Sequence, residues 1–311
     1  MANSISSFYQ TVVAAATEAS QLLAPTWKAS DSIFWDYRPE PATIGQTLNV
    51  PIPQDPTGAV SDGGAGDLAV TDIGFTTVGI VFNKHPYFAY VVRDFEQFNS
   101  PLQVRTVFLD AALKGVKSNI NGNVTGLFTP GNFPTNAAIA TTGHLVTTAQ
   151  FLGAMAVLAD QKVPVADDPE NMSLLLPSLP YTAMLGDGLW TQAQIAGMKT
   201  AEFVRETGTL PTAYGMTAKL DQQMPVAGAS PTRTFTAAYL HRWAVAGVTR
   251  PLPPPDAKVV DYTYIDFMGV PVRITVGYNQ FPKQGYIVTV DAGYGLKVVR
   301  DNMCQLFTIA E

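Results

Sequence analysis

Three histidines, one cysteine and one tight run of acids are the residues of this chain best suited to chemistry, and their spacing argues against it. His85, His144 and His241 stand singly, with no second ligand at the short spacings of zinc sites. His-Glu-x-x-His and Gly-x-Ser-x-Gly are both absent, so neither a zinc protease nor a nucleophile elbow has a candidate. Neither common phosphate-binding glycine loop occurs. Asp167, Asp168 and Glu170 cluster beside Pro164 and Pro169, in a turn where solvated carboxylates are ordinary. Calcium would need more oxygen ligands than this run supplies. The lone Cys304 excludes an internal disulfide and any multi-cysteine metal site, and is most simply a small buried apolar residue. The sequence therefore offers no catalytic, cofactor-binding or metal-ligating set. A nucleophile and base can still meet from distant positions, which keeps a hydrolase without a recognised motif as an alternative.

The composition points to a protein that covers itself with partners. A chain of 311 residues suits one large domain or two moderate ones. Charged residues make up 14%, against roughly 25% in ordinary soluble proteins. A monomer needs charge over most of its surface, so this scarcity suggests surface buried by other chains. A monomer rich in Ser, Thr, Asn and Gln is the plainer explanation. The net charge of −6 excludes a large basic nucleic-acid footprint. No segment approaches the ~20 apolar residues of a membrane span, and the N-terminal residues lack the pattern of a secretory signal. A soluble, intracellular chain with no membrane partner is expected.

Among the elements, residues 36–80 are the most informative. Strand-forming segments (Thr47–Val50, Ala69–Thr71, Phe75–Ile80) surround a centre rich in Gly, Pro and Asp. Between Pro39 and Phe82 there are five acids, Glu40, Asp55, Asp62, Asp67 and Asp72, and no Lys or Arg. This reads as an extended β-hairpin with a long tip. A lone hairpin is marginal in water and exposes its edges, so it needs a surface to lie on. Another copy of the same chain is the natural one.

Ahead of the hairpin, Ile5, Phe8, Tyr9, Val12, Val13, Ala16, Ala19, Leu22 and Leu23 keep a helical period that Pro25 ends. This is either a docking arm or an ordinary first core helix. An aromatic anchor, Trp27, Ile33, Phe34, Trp35 and Tyr37, follows. Ser100-Pro-Leu-Gln103 is a helix start, opening a helix expected to run to about Ile120, where Asn-Gly-Asn should fray it. Thr147-x-x-Gln150 and Thr191-x-x-Gln194 predict two more helices, the second closed by Gly208. Ser173–Pro180 reads as a buried strand ending in a turn. A fourth helix is predicted over Arg233–Val248, and strands return over 258–311. The Pro-rich segment Pro251–Pro255 is the best internal boundary.

This order of elements resembles the HK97-fold major capsid proteins of tailed bacteriophages. Four stretches carry the likeness, and their order and spacing weigh more than any one of them. They are Val70–Phe82 leading through Val91-Val-Arg-Asp-Phe95 to Ser100, Ser173–Pro177 followed by Tyr181–Leu185, Gly269–Tyr278, and Gly293–Arg300. The resemblance implies an α+β fold. Its parts are an N-terminal arm (1–35), an extended loop (36–80), a peripheral domain (81–135 and 256–311) with a spine helix over about 101–120, and an axial domain (136–255). It further implies self-assembly through pentamers and hexamers into an icosahedral shell around double-stranded DNA. The location would be the virion capsid, assembled in the host cytoplasm. A separate scaffolding protein, a portal and a decoration protein are the further partners it brings. Some family members cross-link through a loop lysine, and this loop has none between Pro39 and Phe82.

An encapsulin-type bacterial compartment shares the architecture and stands as the alternative use. The subunit interface is expected at Phe8, Val12 and Leu22 of the arm, and where the loop acids Asp55, Asp62 and Asp67 meet Arg105, Lys114 and Lys117 of the spine helix on an adjacent copy.

Overall fold

The computed structural model describes residues 27–37, 45–53, 74–93, 103–141, 143–187, 198–210, 212, 216–255, 261–267, 270–280 and 284–311. Two six-stranded sheets organise them. The first runs β1 (Phe34–Tyr37), β10 (Val245–Arg250), β13 (Gly285–Val298), β12 (Val270–Asn279), β11 (Asp261–Phe267), with β4 (Tyr87–Arg93) also paired to β13. β13 is long enough to serve two partners in succession, β12 along Gly285–Ala292 and β10 along Gly293–Val298. Its other edge takes β4.

One face of this sheet follows the period of two. Val272, Ile274 and Val276 of β12, and Tyr286, Val288, Val290 and Ala292 of β13, are buried. They pack on the helix α1 (Gln103–Thr125) through Leu109, Ala112, Leu113, Val116 and Ile120, an i, i+3, i+4, i+7 stripe. Val124, one turn further, belongs to the second core, so α1 spans both. The helix continues past the expected end at Ile120 because the residues meant to fray it find tertiary partners. Asn121 bonds Asp221, and Asn123 bonds the Tyr294 hydroxyl at 2.8 Å.

The second sheet runs β5 (Ile139–Thr141), β14 (Cys304–Ala310), β9 (Thr234–His241), β6 (Met172–Leu176), β7 (Thr217–Leu220), with β8 (Val226–Ala227) on β9. The helices α2 (Thr148–Asp160) and α3 (Ser178–Gly186) contribute Phe151, Ala154, Leu158, Tyr181 and Met184 to the second core. α2 opens with the expected box, Thr147 N–H donating to Gln150 Oε1 at 3.0 Å and Gln150 N–H to Thr147 Oγ1 at 3.3 Å. The helix α4 (Met198–Thr207) closes on Gly208, whose φ of +64° only glycine adopts freely.

Three expectations need correction. Arg233–Val248 is not a helix but β9, a short 3-10 turn and β10. Its strands lie mid-sheet, where β10 is buried at every position and β9 nearly so, so the alternation that marks a half-exposed strand is missing. The buried strand at Ser173 is present, but the turn after it is the helix α3. Residues 256–311 do not stay together: β11, β12 and β13 lie in the first sheet and β14 in the second.

The hairpin strands are present as β2 (Thr47–Pro53) and β3 (Phe75–Val81), antiparallel with Thr47 opposite Val81. The tip lies outside the described residues. Phe82 donates to Gln46 O, which places Pro51 and Pro53 at the alternate pairs whose nitrogens face away from β3. Two prolines on that open edge remove the donors another strand would need.

Candidate functional site

Two of the three histidines, His241 and His85, are engaged within the chain, while His144 Nδ1 is buried without a hydrogen-bond partner among the described residues. His241 is buried, and its Nδ1 accepts the Trp243 N–H at 3.3 Å. Its Nε2 lies 3.2 Å from Asp168 Oδ2, so both ring nitrogens are occupied within the chain. Asn171 Nδ2 holds the same carboxylate at 2.9 and 2.8 Å. The Asn171 amide, then His241, keeps the Asp168 carboxyl below its ordinary 3.8. Of the acid cluster, Asp168 is thus a structural partner. His85 Nε2 lies 3.1 Å from Asp291 Oδ2, a carboxylate already bound at both oxygens by Arg273. Cys304 is fully buried and its thiol pKa is pushed up by burial. Among the described residues no group of three or more His, Cys, Asp or Glu could hold a metal ion. A cleft of about 460 Å³ opens between β2 and the body, floored by Trp243, Val299 and Met303 and edged by Arg300 and the Asp168–His241 pair. Among the described residues no Ser, Thr or Cys lines it, so these offer no hydroxyl or thiol for that pair to activate.

What the structure does organise is the root of the hairpin and the strap before it. β3 lays Ile80 on Ala246 and Val248 of β10. Gly293 and Gly295 of β13 lie directly under Phe82 and Val81, where a Cβ would come within 2.3 Å of the Phe82 ring and of the Val81 carbonyl oxygen respectively. Lys84 and Tyr294 then exchange backbone hydrogen bonds at 2.9 and 3.0 Å. The strap, residues 28–35, is tied down by polar contacts. Lys28 and Ala29 N–H donate to Asp221, and Ser30 N–H donates to Asn121. Lys117 Nζ donates to Asp31 at 2.8 Å. Phe34 stacks on Trp243 at 4.1 Å, with the Arg242 guanidinium 5.9 Å from its ring.

The expected interface residues meet different ends. Phe8, Val12, Leu22, Asp55, Asp62 and Asp67 lie outside the described residues. Arg105 falls in the first turn of α1, with its side chain outside them as well. Lys114 is exposed on α1. Lys117 is a correction: it is 1% exposed and paired with Asp31 of its own chain, so it has no surface to offer a neighbour. Sequence reasoning missed Asp31, Asn121 and Asp221. Asn121 belonged to a run read as fraying, and nothing local marks a residue bonded to partners about 90 to 100 positions away.

No family model and no curated protein sequence matches the chain. Solved structures do. The capsid structure of the cyanophage P-SCSP1u matches with a TM-score of 0.60 over 90% of this chain and 87% of that one, at 10% identity. The capsid asymmetric unit of cyanophage A-1(L) matches at 0.57 over 92% of both chains, at 12% identity. A virus-like particle from Pyrococcus furiosus matches at 0.51 over 96% of this chain and 99% of that one, at 8% identity. The chain therefore has the α+β fold of phage capsid proteins, and the resemblance read from its sequence holds at the level of the fold.

Proposed function

We propose that this chain is a major capsid protein, one of many copies that close through pentamers and hexamers into an icosahedral shell around double-stranded DNA. The observation that carries the reading is a match to capsid chains that runs nearly end to end in both partners. In this reading the first sheet with α1 is the peripheral domain, and the second sheet with α2, α3 and α4 is the axial domain. The arm residues Phe8, Val12 and Leu22 dock on a neighbour or beneath α1. The loop acids Asp55, Asp62 and Asp67 face Arg105 and Lys114 of an adjacent copy. Scaffolding, portal and decoration proteins complete the partners, and packaged DNA is held without sequence-specific contacts. The engagement of His241 and His85 within the chain supports a structural rather than an enzymatic role for those two residues.

A second use of the same fold is supported by the likeness to the Pyrococcus furiosus particle: an encapsulin-type compartment that encloses protein cargo. Expression followed by electron microscopy and analysis of particle contents tests both. Closed shells holding DNA support the capsid. Shells that co-purify with a cargo protein support the compartment. A discrete monomer or dimer under all assembly conditions overturns both.

A further inference from the structure

Asp221 follows β7 directly and is fully buried. Its Oδ2 accepts the backbone N–H groups of Lys28 and Ala29, each at 2.7 Å. Its Oδ1 accepts the Gln223 N–H at 2.8 Å. Asn121 Nδ2, from near the C-terminal end of α1, lies 3.1 and 3.0 Å from the two oxygens. Every partner is a donor, a set that an acceptor-only carboxylate satisfies and a carboxamide cannot. Asn121 is oriented in turn, because its Oδ1 accepts the Ser30 N–H at 3.0 Å. Two lysines complete the fastening: Lys117 Nζ on Asp31, and Lys219 Nζ at 3.0 Å from Ser32 Oγ. Beyond Ile33 the strap becomes β1, paired in parallel with β10. Residues 28–37 thus touch α1, the end of the second sheet and the edge of the first. Ala29 and Ile33 are fully buried, and Phe34 and Trp35 further along pack half-buried against the cores. At the Lys28–Ala29 end, hydrogen bonds to the Asp221 carboxylate are the principal tie.

We infer that Asp221 is the positioning residue of a joint: it fixes the place and direction of the strap at Lys28 and Ala29 against α1 and the second sheet, and assembly depends on that geometry. The inference rests on the shell reading above, so its test has one arm that needs no shell.

In that arm, spin labels at Lys28→Cys and Leu152→Cys report the distance between the strap and α2. Both positions are exposed, Cys304 is fully buried and stays unlabelled, and the Lys28 backbone N–H survives the substitution. The parent should give one narrow distance distribution, and Asp221→Asn a broad one. Ile274→Val, a core trim in β12 that removes none of the strap's hydrogen bonds, controls for lost stability and should stay narrow. In the second arm, Asp221→Asn should close shells about tenfold more slowly, the factor set by losing one hydrogen bond to a charged group. The control should assemble at close to the parent rate. A narrow distribution in Asp221→Asn overturns the inference, and so does a broad one with assembly at the parent rate. A parent that forms no shells overturns the shell reading, while the distance arm still decides the joint. Should Asp221→Asn not fold, amide exchange in the unmodified subunit decides. Protection of the Lys28, Ala29 and Ser30 amides supports the joint, and exchange at the rate of free amides overturns it.

Discussion

Tyr239 stands in β9 at the centre of the second core, its hydroxyl buried and without a hydrogen-bond partner among the described residues. Its ring packs edge-on against Phe151 at 5.0 Å, so the ring contributes packing while the hydroxyl contributes a desolvation cost of roughly 1–3 kcal/mol. Tyr239→Phe keeps the first and removes the second. It should raise the unfolding free energy by about 1 kcal/mol in urea titration; a lower midpoint would show that the hydroxyl has a partner. Asp168 gives a prediction in pH. Its folded pKa is held below 3.8, chiefly by Asn171, so its contribution is present above the unfolded value and lost as pH falls through the depressed one. Asn171→Ala removes the larger cause and moves the folded pKa back up, shrinking that contribution. Between pH 6 and 2.5 the melting temperature should therefore fall further in the wild type than in Asn171→Ala, and equal falls would count against the assignment. Neither feature was legible in the sequence. His241 stood singly and Asp168 read as part of a solvated acid cluster, because the 73 positions between them close only when β6 pairs with β9.

At the scale of elements, legibility followed exposure. α2 was readable because its cap and its half-buried face both leave local marks. The strands of the hairpin were readable because glycine and proline punctuate them. β9 and β10 were not, because a strand buried on both faces shows continuous apolar residues, and Ala237, Ala238 and Leu240 read equally well as helix. The glycines of β13 explain how the hairpin is rooted. At Gly295 an added Cβ would lie 2.3 Å from the Val81 carbonyl oxygen and 3.3 Å from Phe82 Cα, both backbone atoms that no rotamer change can move. Gly295→Ala should therefore cost about 1–3 kcal/mol as overpacking and lift the hairpin root. The amides of Gly45 and Phe82, whose bonds at 2.9 and 3.0 Å close that root, should then exchange faster. Gly153→Ala in α2 is the contrast. A Cβ there meets nothing within 4 Å, so helix propensity should make it stabilising by up to about 1 kcal/mol. Unchanged exchange at Gly45 and Phe82 in Gly295→Ala would mean the hairpin root is not seated on β13.

The molecule as a whole was legible in its order of elements, while its contacts between copies lie beyond any single chain. The exposed apolar side chains fit the shell reading: Phe75 on β3 and Tyr87 on β4 are 68% and 69% exposed, an arrangement that self-association would bury. Charge offers the sharpest test. The stretch between Pro39 and Phe82 is purely acidic, and Arg105 and Lys114 lie on α1, with Lys117 withdrawn into its pair with Asp31. Exposed single pairs contribute only about 0–1 kcal/mol, so contact between the loop and an adjacent α1 should govern encounter and register more than final stability. Asp62→Lys with Asp67→Lys should slow shell closure, most at low salt, where screening is weakest. Adding Arg105→Glu and Lys114→Glu to the same chain should restore part of the rate, because the signs again oppose. Lys117→Met should act differently: it removes the buried tie between α1 and Asp31 and loosens the strap within one subunit, so its defect should persist at high salt. Light scattering across a salt series separates the two patterns. If the fourfold variant assembles no faster than the loop variant at low salt, the loop acids do not meet α1 of a neighbour, whatever else holds the shell together.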